Sequence, residues 1–85
     1  KLPVAKAPMM LVVNASDVDA EKRIMDAVAK YARHSTVKSR NMTGNSLDLI
    51  VELRTDAGSE LLKDILQEEG ITSASLLSHD GEVTF

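Results

Sequence analysis

The chain has no cysteine. Disulfide staples, zinc–thiolate sites and thiol chemistry are therefore excluded. Small secreted domains often carry such staples, so their absence points to a reducing compartment. Aromatics are almost as scarce, with one tyrosine, one phenylalanine and no tryptophan. An RNA-binding sheet that stacks bases on aromatic rings has nothing to stack them on. The longest apolar run, Met9 to Val13, falls far short of the ~20 residues that span a bilayer. The first eight residues lack the apolar core of a signal peptide. The chain does not begin with methionine, so it is expected to be a piece of a longer protein.

What is present is a globular profile: 85 residues, 44% of them apolar and spread along the length, with a net charge of −3. That is one domain. The charge is split. Residues 1–42 carry eight basic and four acidic side chains, whereas residues 43–85 carry two basic and nine acidic ones. The overall acidity argues against nucleic acid as a partner. The split predicts a basic side and an acidic side.

Pro3 and Pro8 break up the start, so residues 1–8 are expected to be a linker and residues 9–85 the domain. Met9 to Ala15 reads as a strand apolar on both faces. Ser16 with Asp19 resembles a capping box, which predicts a helix over 17–33 carrying Ile24, Val28, Tyr31 and Ala32 on its buried face. Ser35 to Thr43 is polar and β-branched, and its Lys38 and Arg40 suit an edge strand. After a turn at Gly44–Ser46, Leu47, Leu49, Val51 and Leu53 alternate with Asp48, Ile50 and Glu52 in the clearest strand of the sequence. Leu61, Leu62, Ile65 and Leu66 define a second helix over about 57–69, closed by Gly70. Ile71 to Ser78 is the last core strand. A turn at residues 79–81 and a short extra strand over 82–85 are expected to follow.

The hairpin register follows from keeping cations out of the core. A two-residue loop pairs Lys38 with Val51 and Arg40 with Leu49. A three-residue loop pairs Val37 with Leu53 and Lys38 with Glu52; since a one-residue slip flips every side chain, this loop, with a bulge, is the favoured expectation. The order of elements, βαββαβ, and the apolar character of the first and third strands predict a ferredoxin-like α+β fold. Its four-stranded antiparallel sheet has order 4-1-3-2 and both helices on one face.

No catalytic constellation stands out. His34 ends a helix and His79 lies in a turn, and no set of ligands has metal-site spacing. Asp17, Asp19 and Glu21 lack the glycine and distal glutamate of a calcium loop, and they read as helix-dipole partners. Asp56, Glu60, Asp64 and Glu68 fall four apart and read as a solvated helix face. No dinucleotide or Walker motif occurs. An acylphosphatase needs an anion cradle and an arginine after the first strand, and Asn14–Val18 supplies acids instead. No enzyme activity, cofactor or metal is expected. Interest falls on the sheet face opposite the helices. Ile50 must face out there. The first strand offers either Met10 and Val12 or Met9, Leu11 and Val13, and the last offers Leu76 or Leu77. With Leu11, Leu77 and Met42 beside Ile50, this face is expected to be an apolar interaction site, unless Leu2 and Val4 or Val83 and Phe85 cover it.

The stretches Val37-Lys38-Ser39-Arg40-Asn41, Leu47 to Arg54 and Glu69 to Glu82 resemble the C-terminal domain of a family of uncharacterised bacterial membrane proteins. In that family, transmembrane helices precede a cytoplasmic ferredoxin-like or ACT-like domain, and MgtC-like proteins have a similar layout. The resemblance covers about residues 10–83 and includes no catalytic motif. It implies an accessory or regulatory domain on the cytoplasmic side of the membrane, joined to a transmembrane part of the same polypeptide, while the apolar open face carries the separate expectation of a homo-oligomer. The alternative is ACT-type sensing of a small molecule, although Asn14–Val18 lacks the Pro-Gly pair of true ACT domains.

Overall fold

The computed structural model describes residues 8–78. The expected turn and extra strand over residues 79–85, and the apolar side chains Leu2, Val4, Val83 and Phe85, lie outside them. Six elements follow in order: β1 (Met9–Ala15), α1 (Glu21–Tyr31), β2 (Ser35–Met42), β3 (Leu47–Leu53), α2 (Gly58–Gln67) and β4 (Ile71–Ser78). The sheet is antiparallel with order β2-β3-β1-β4. This is the ferredoxin-like arrangement, with the two most apolar strands at the centre.

The core explains why both helices share one face. Leu11, Val13 and Ala15 of β1, and Leu47, Leu49, Val51 and Leu53 of β3, form one buried cluster with Ile24, Ala27 and Val28 of α1 and Leu61 and Ile65 of α2. Alternate strand residues point the same way, so the remaining set on each strand faces away from the helices. Thr55 is the buried polar residue among those described. Its hydroxyl donates to the Tyr31 carbonyl at 2.8 Å and accepts from the Ala57 amide at 3.0 Å, tying the end of α1 to the start of α2.

The first helix begins later than the capping pattern predicts. Its N-cap is Ala20, with no side-chain cap. Ser16 is occupied elsewhere: its amide donates to the Gly70 carbonyl at 2.7 Å, and its hydroxyl to the same oxygen at 3.3 Å. Asp17 accepts from the Asp19 amide and from Arg23 at 2.6 Å, so residues 16–20 form a turn. Arg23 also donates to the Glu69 carbonyl. The residues that resemble a capping box therefore latch the β1–α1 turn to the α2–β4 connection. Arg23 holds the Asp17 carboxyl below its ordinary range, chiefly through their hydrogen bond.

The hairpin departs from the expected three-residue loop. The Thr43 amide donates to the Ser46 carbonyl, leaving a two-residue loop at Gly44-Asn45. Arg40 then pairs with Leu49 and Met42 with Leu47. Lys38 does not lie across from Glu52, which pairs with Thr36. The register shifts between Val37 and Ser39, so Lys38 is the extra residue of a bulge. That bulge reconciles two demands. Val37 reaches the core opposite Val51, while Arg40, three residues on, falls on the same face beyond the packed region. There its guanidinium forms a bidentate pair with Glu21, both bonds 2.6 Å long.

The Arg40 bonds hold the Glu21 carboxyl below its ordinary value against a smaller opposing effect of burial. A depressed folded-state pKa adds stability above the unfolded value, and that stability is lost as pH falls through the folded one. In Arg40→Gln, the Glu21 carboxyl is expected to titrate at an ordinary glutamate value in a carbon-detected NMR titration. The stability gap between wild type and variant should close as the solution is acidified through the carboxylate range. A Glu21 titration unmoved by the substitution would show that the pair does not form in solution.

Candidate functional site

Pairing register and burial together fix the composition of the sheet's open face. Met10 pairs with Glu52 on one side and Leu77 on the other; Val12 pairs with Ile50 and Ser75; Asn14 pairs with Asp48 and Ser73. Residues directly opposite in an antiparallel pair lie on the same face. Met10, Val12, Ile50 and Leu77 are each partly exposed, whereas their strand neighbours Leu11, Val51 and Leu76 are buried. The open face is thus apolar toward the Met10–Leu77 end. It turns polar at Asn14, whose amide donates to the Ser73 hydroxyl at 2.9 Å.

Of the four residues expected on this face, Ile50 and Leu77 are there. Leu11 is not: it is fully buried and packs beneath the helices. The five apolar residues of β1 left its parity open, and the cross-strand partners Val51 and Leu76 decide it. Met42 is also misplaced by the sequence reading. It is half exposed, but it pairs with buried Leu47 and so lies on the helix side, beyond the helices' cover. Met10 and Val12 take the place on β1 assigned to Leu11, and Ser39, not Met42, pairs with Ile50 from β2.

The two edges of the sheet differ. Strand β2 carries Lys38, Arg40 and the bulge, features that discourage pairing with another strand. Strand β4 has no charged residue and no proline over its eight residues. Among the described residues no strand pairs with its outer side.

Two of the four acids spaced four apart, Asp64 and Glu68, face partners on α1. Asp64 accepts from the Tyr31 hydroxyl at 2.6 Å and lies 3.8 Å from Lys30, and Glu68 lies 3.8 Å from Arg23. The hydrogen bond to Asp64 is the main reason the Tyr31 hydroxyl is raised above its ordinary pKa. Among the described residues no group of three or more His, Asp or Glu side chains is placed to hold a metal ion.

A cavity of about 470 Å³ opens at the other end of the hairpin from its turn. It is bounded by the α1–β2 connection, the first residues of β2, and the run from Glu52 to Asp56 that leads into α2. No family model matches the chain, and neither the curated proteins nor the solved structures compared with it contain a match.

Proposed function

We propose that this domain is a non-enzymatic association module that pairs with a second copy of itself through the open sheet face and the adjoining β4 edge. It serves as an accessory or regulatory domain on the cytoplasmic side of a bacterial membrane protein. The observation that supports the association is the contiguous set Met10, Val12, Ile50 and Leu77, next to an edge strand without charge. No helix among the described residues is long and apolar enough to cross a membrane, so this reading puts the membrane-spanning part elsewhere in the polypeptide. The attachment itself is supported by the resemblance of residues 10–83 to domains of that kind.

Energetics set the strength of such a contact. Apolar burial is worth roughly 25 cal/mol per Å², and association costs about 4–15 kcal/mol in lost freedom. A patch of a few hundred Å² therefore supports weak pairing, with the β4 backbone adding hydrogen bonds. Attachment of several copies to one membrane assembly raises their effective concentration and offsets the cost.

The test is Ile50→Asp and, nearer the edge, Leu77→Asp. Folding is checked by circular dichroism and mass by sedimentation up to millimolar concentration. The expected result is a wild type that self-associates weakly and variants that fold but sediment as monomers. A wild type that stays monomeric throughout, or folded variants with wild-type mass, would overturn the reading.

A further inference from the structure

We propose that the cavity at the base of the β2–β3 hairpin is a binding site for a small organic phosphate monoester. It adjoins the association surface at Glu52, which pairs with Met10, but includes none of Met10, Val12, Ile50 and Leu77. Its volume, about 470 Å³, falls within the roughly 300–1,000 Å³ usual for small-molecule sites. The arginines mark it as an anion site. The chain has four, and the structure uses two: Arg23 is bonded to Asp17, and Arg40 to Glu21. The other two, Arg33 and Arg54, make no side-chain hydrogen bond or ion pair among the described residues, and both line this one cavity. His34 lies between them in the lining and is likewise without a partner.

The chemistry of the lining selects the ligand. A guanidinium presents a planar fork of donors that matches phosphate and carboxylate oxygens. Two such forks exceed what one carboxylate needs, and they suit the three terminal oxygens of a phosphate. The hydroxyls of Ser35 and Thr36 add donors at the same mouth. Glu52 and Asp56 also line the cavity. Glu52 repels a bare polyanion such as nucleic acid, and it supplies an acceptor for a hydroxyl or amino group on the organic part of the ligand. Leu53 and Thr55 are buried, whereas Arg33, His34 and Arg54 are exposed, so the charged groups lie on the solvent side of an inner wall that includes Leu53. That arrangement takes a charged head outside and a short organic body within.

The experiment is a titration of the full chain, labelled with ¹⁵N, with glycerol 3-phosphate at fixed ionic strength. A parallel arm measures sedimentation with vesicles of phosphatidylcholine and phosphatidylglycerol. Saturable shift changes confined to residues 33–36 and 52–56 are expected. Arg33→Gln and Arg54→Gln should each weaken binding by about tenfold or more, the loss of a charge-assisted contact. Arg40→Gln should leave binding unchanged. Three results would overturn the proposal: shifts that do not saturate and spread to Lys22 and Lys38, a double Arg33→Gln/Arg54→Gln variant that binds like the wild type, or binding to the vesicles without any response to soluble glycerol 3-phosphate.

Discussion

Leu11→Asp should abolish folding, while Val12→Asp, one residue along, should leave a folded domain. Leu11 is fully buried between Val51 and Leu76 on the central strand, whereas Val12 faces out between Ile50 and Ser75. Even Leu11→Ala should cost about 2–5 kcal/mol through lost transfer energy and the cavity it leaves. At about 0.05–0.15 kcal/mol per residue, a chain of 85 residues has about 4–13 kcal/mol in all. An unpaired carboxylate at this site adds a desolvation penalty that the remaining margin does not cover. Circular dichroism and urea denaturation of the three variants measure the difference. Equal stability of the two aspartate variants would show that the parity of β1 is wrong.

Gly70→Ala is expected to destabilise the domain by about 2–5 kcal/mol, a sum of backbone and steric strain. Gly70 is the described residue with positive φ, at 88°, and a methyl group there would stand 2.7 Å from the Asp17 Cβ. That atom is the root of its side chain and cannot swing away. The neighbouring latch resists a shift of either backbone, because the Ser16 amide holds the Gly70 carbonyl and Arg23 bridges Asp17 to Glu69. Gly44→Ala is the control. Nothing lies within 4 Å of a Cβ built there, and its φ is not positive. It should change stability by less than about 1 kcal/mol, in either direction. Urea midpoints for the pair separate a strained glycine from one that merely sits in a turn. A Gly70→Ala midpoint matching that of Gly44→Ala would mean the latch relaxes in solution.

These two sites mark where the sequence was legible and where it was not. Strand bounds at Met9–Ala15 and Ile71–Ser78 match the expectation because apolar runs end at polar or turn residues there. The topology was legible because strand polarity matches strand position. The parity of β1 was not, since an unbroken apolar run carries no alternation to read. The start of α1 was misread because a serine followed by acids has two uses. Here they bind across the fold to Gly70 and Arg23, contacts separated by many residues and silent in local pattern. The hairpin register departs from expectation because the bulge sits within β2 at Lys38, several residues from a two-residue loop, rather than with a three-residue one. As for the candidate sites, Ile50 was legible from the alternation of β3. The cavity was not, because Arg33, His34 and Arg54 come from segments about 20 residues apart in the chain. Only the α1–β2 and β3–α2 connections, lying side by side, bring them together.

The unequal edges of the sheet bear on how large an assembly this fold can make. A strand that accepts partners on one side only behaves like a monovalent unit. Two copies joined β4 to β4 about a two-fold axis use up the pairing capacity of both. The outer rims of such a pair are the bulged β2 strands, where an approaching third copy meets the charged Lys38 and an interrupted ladder. In the proposed pair, growth through the sheet edges would stop at two, and open-ended stacking into a fibre would be blocked at both ends by the same bulge that lets Val37 reach the core.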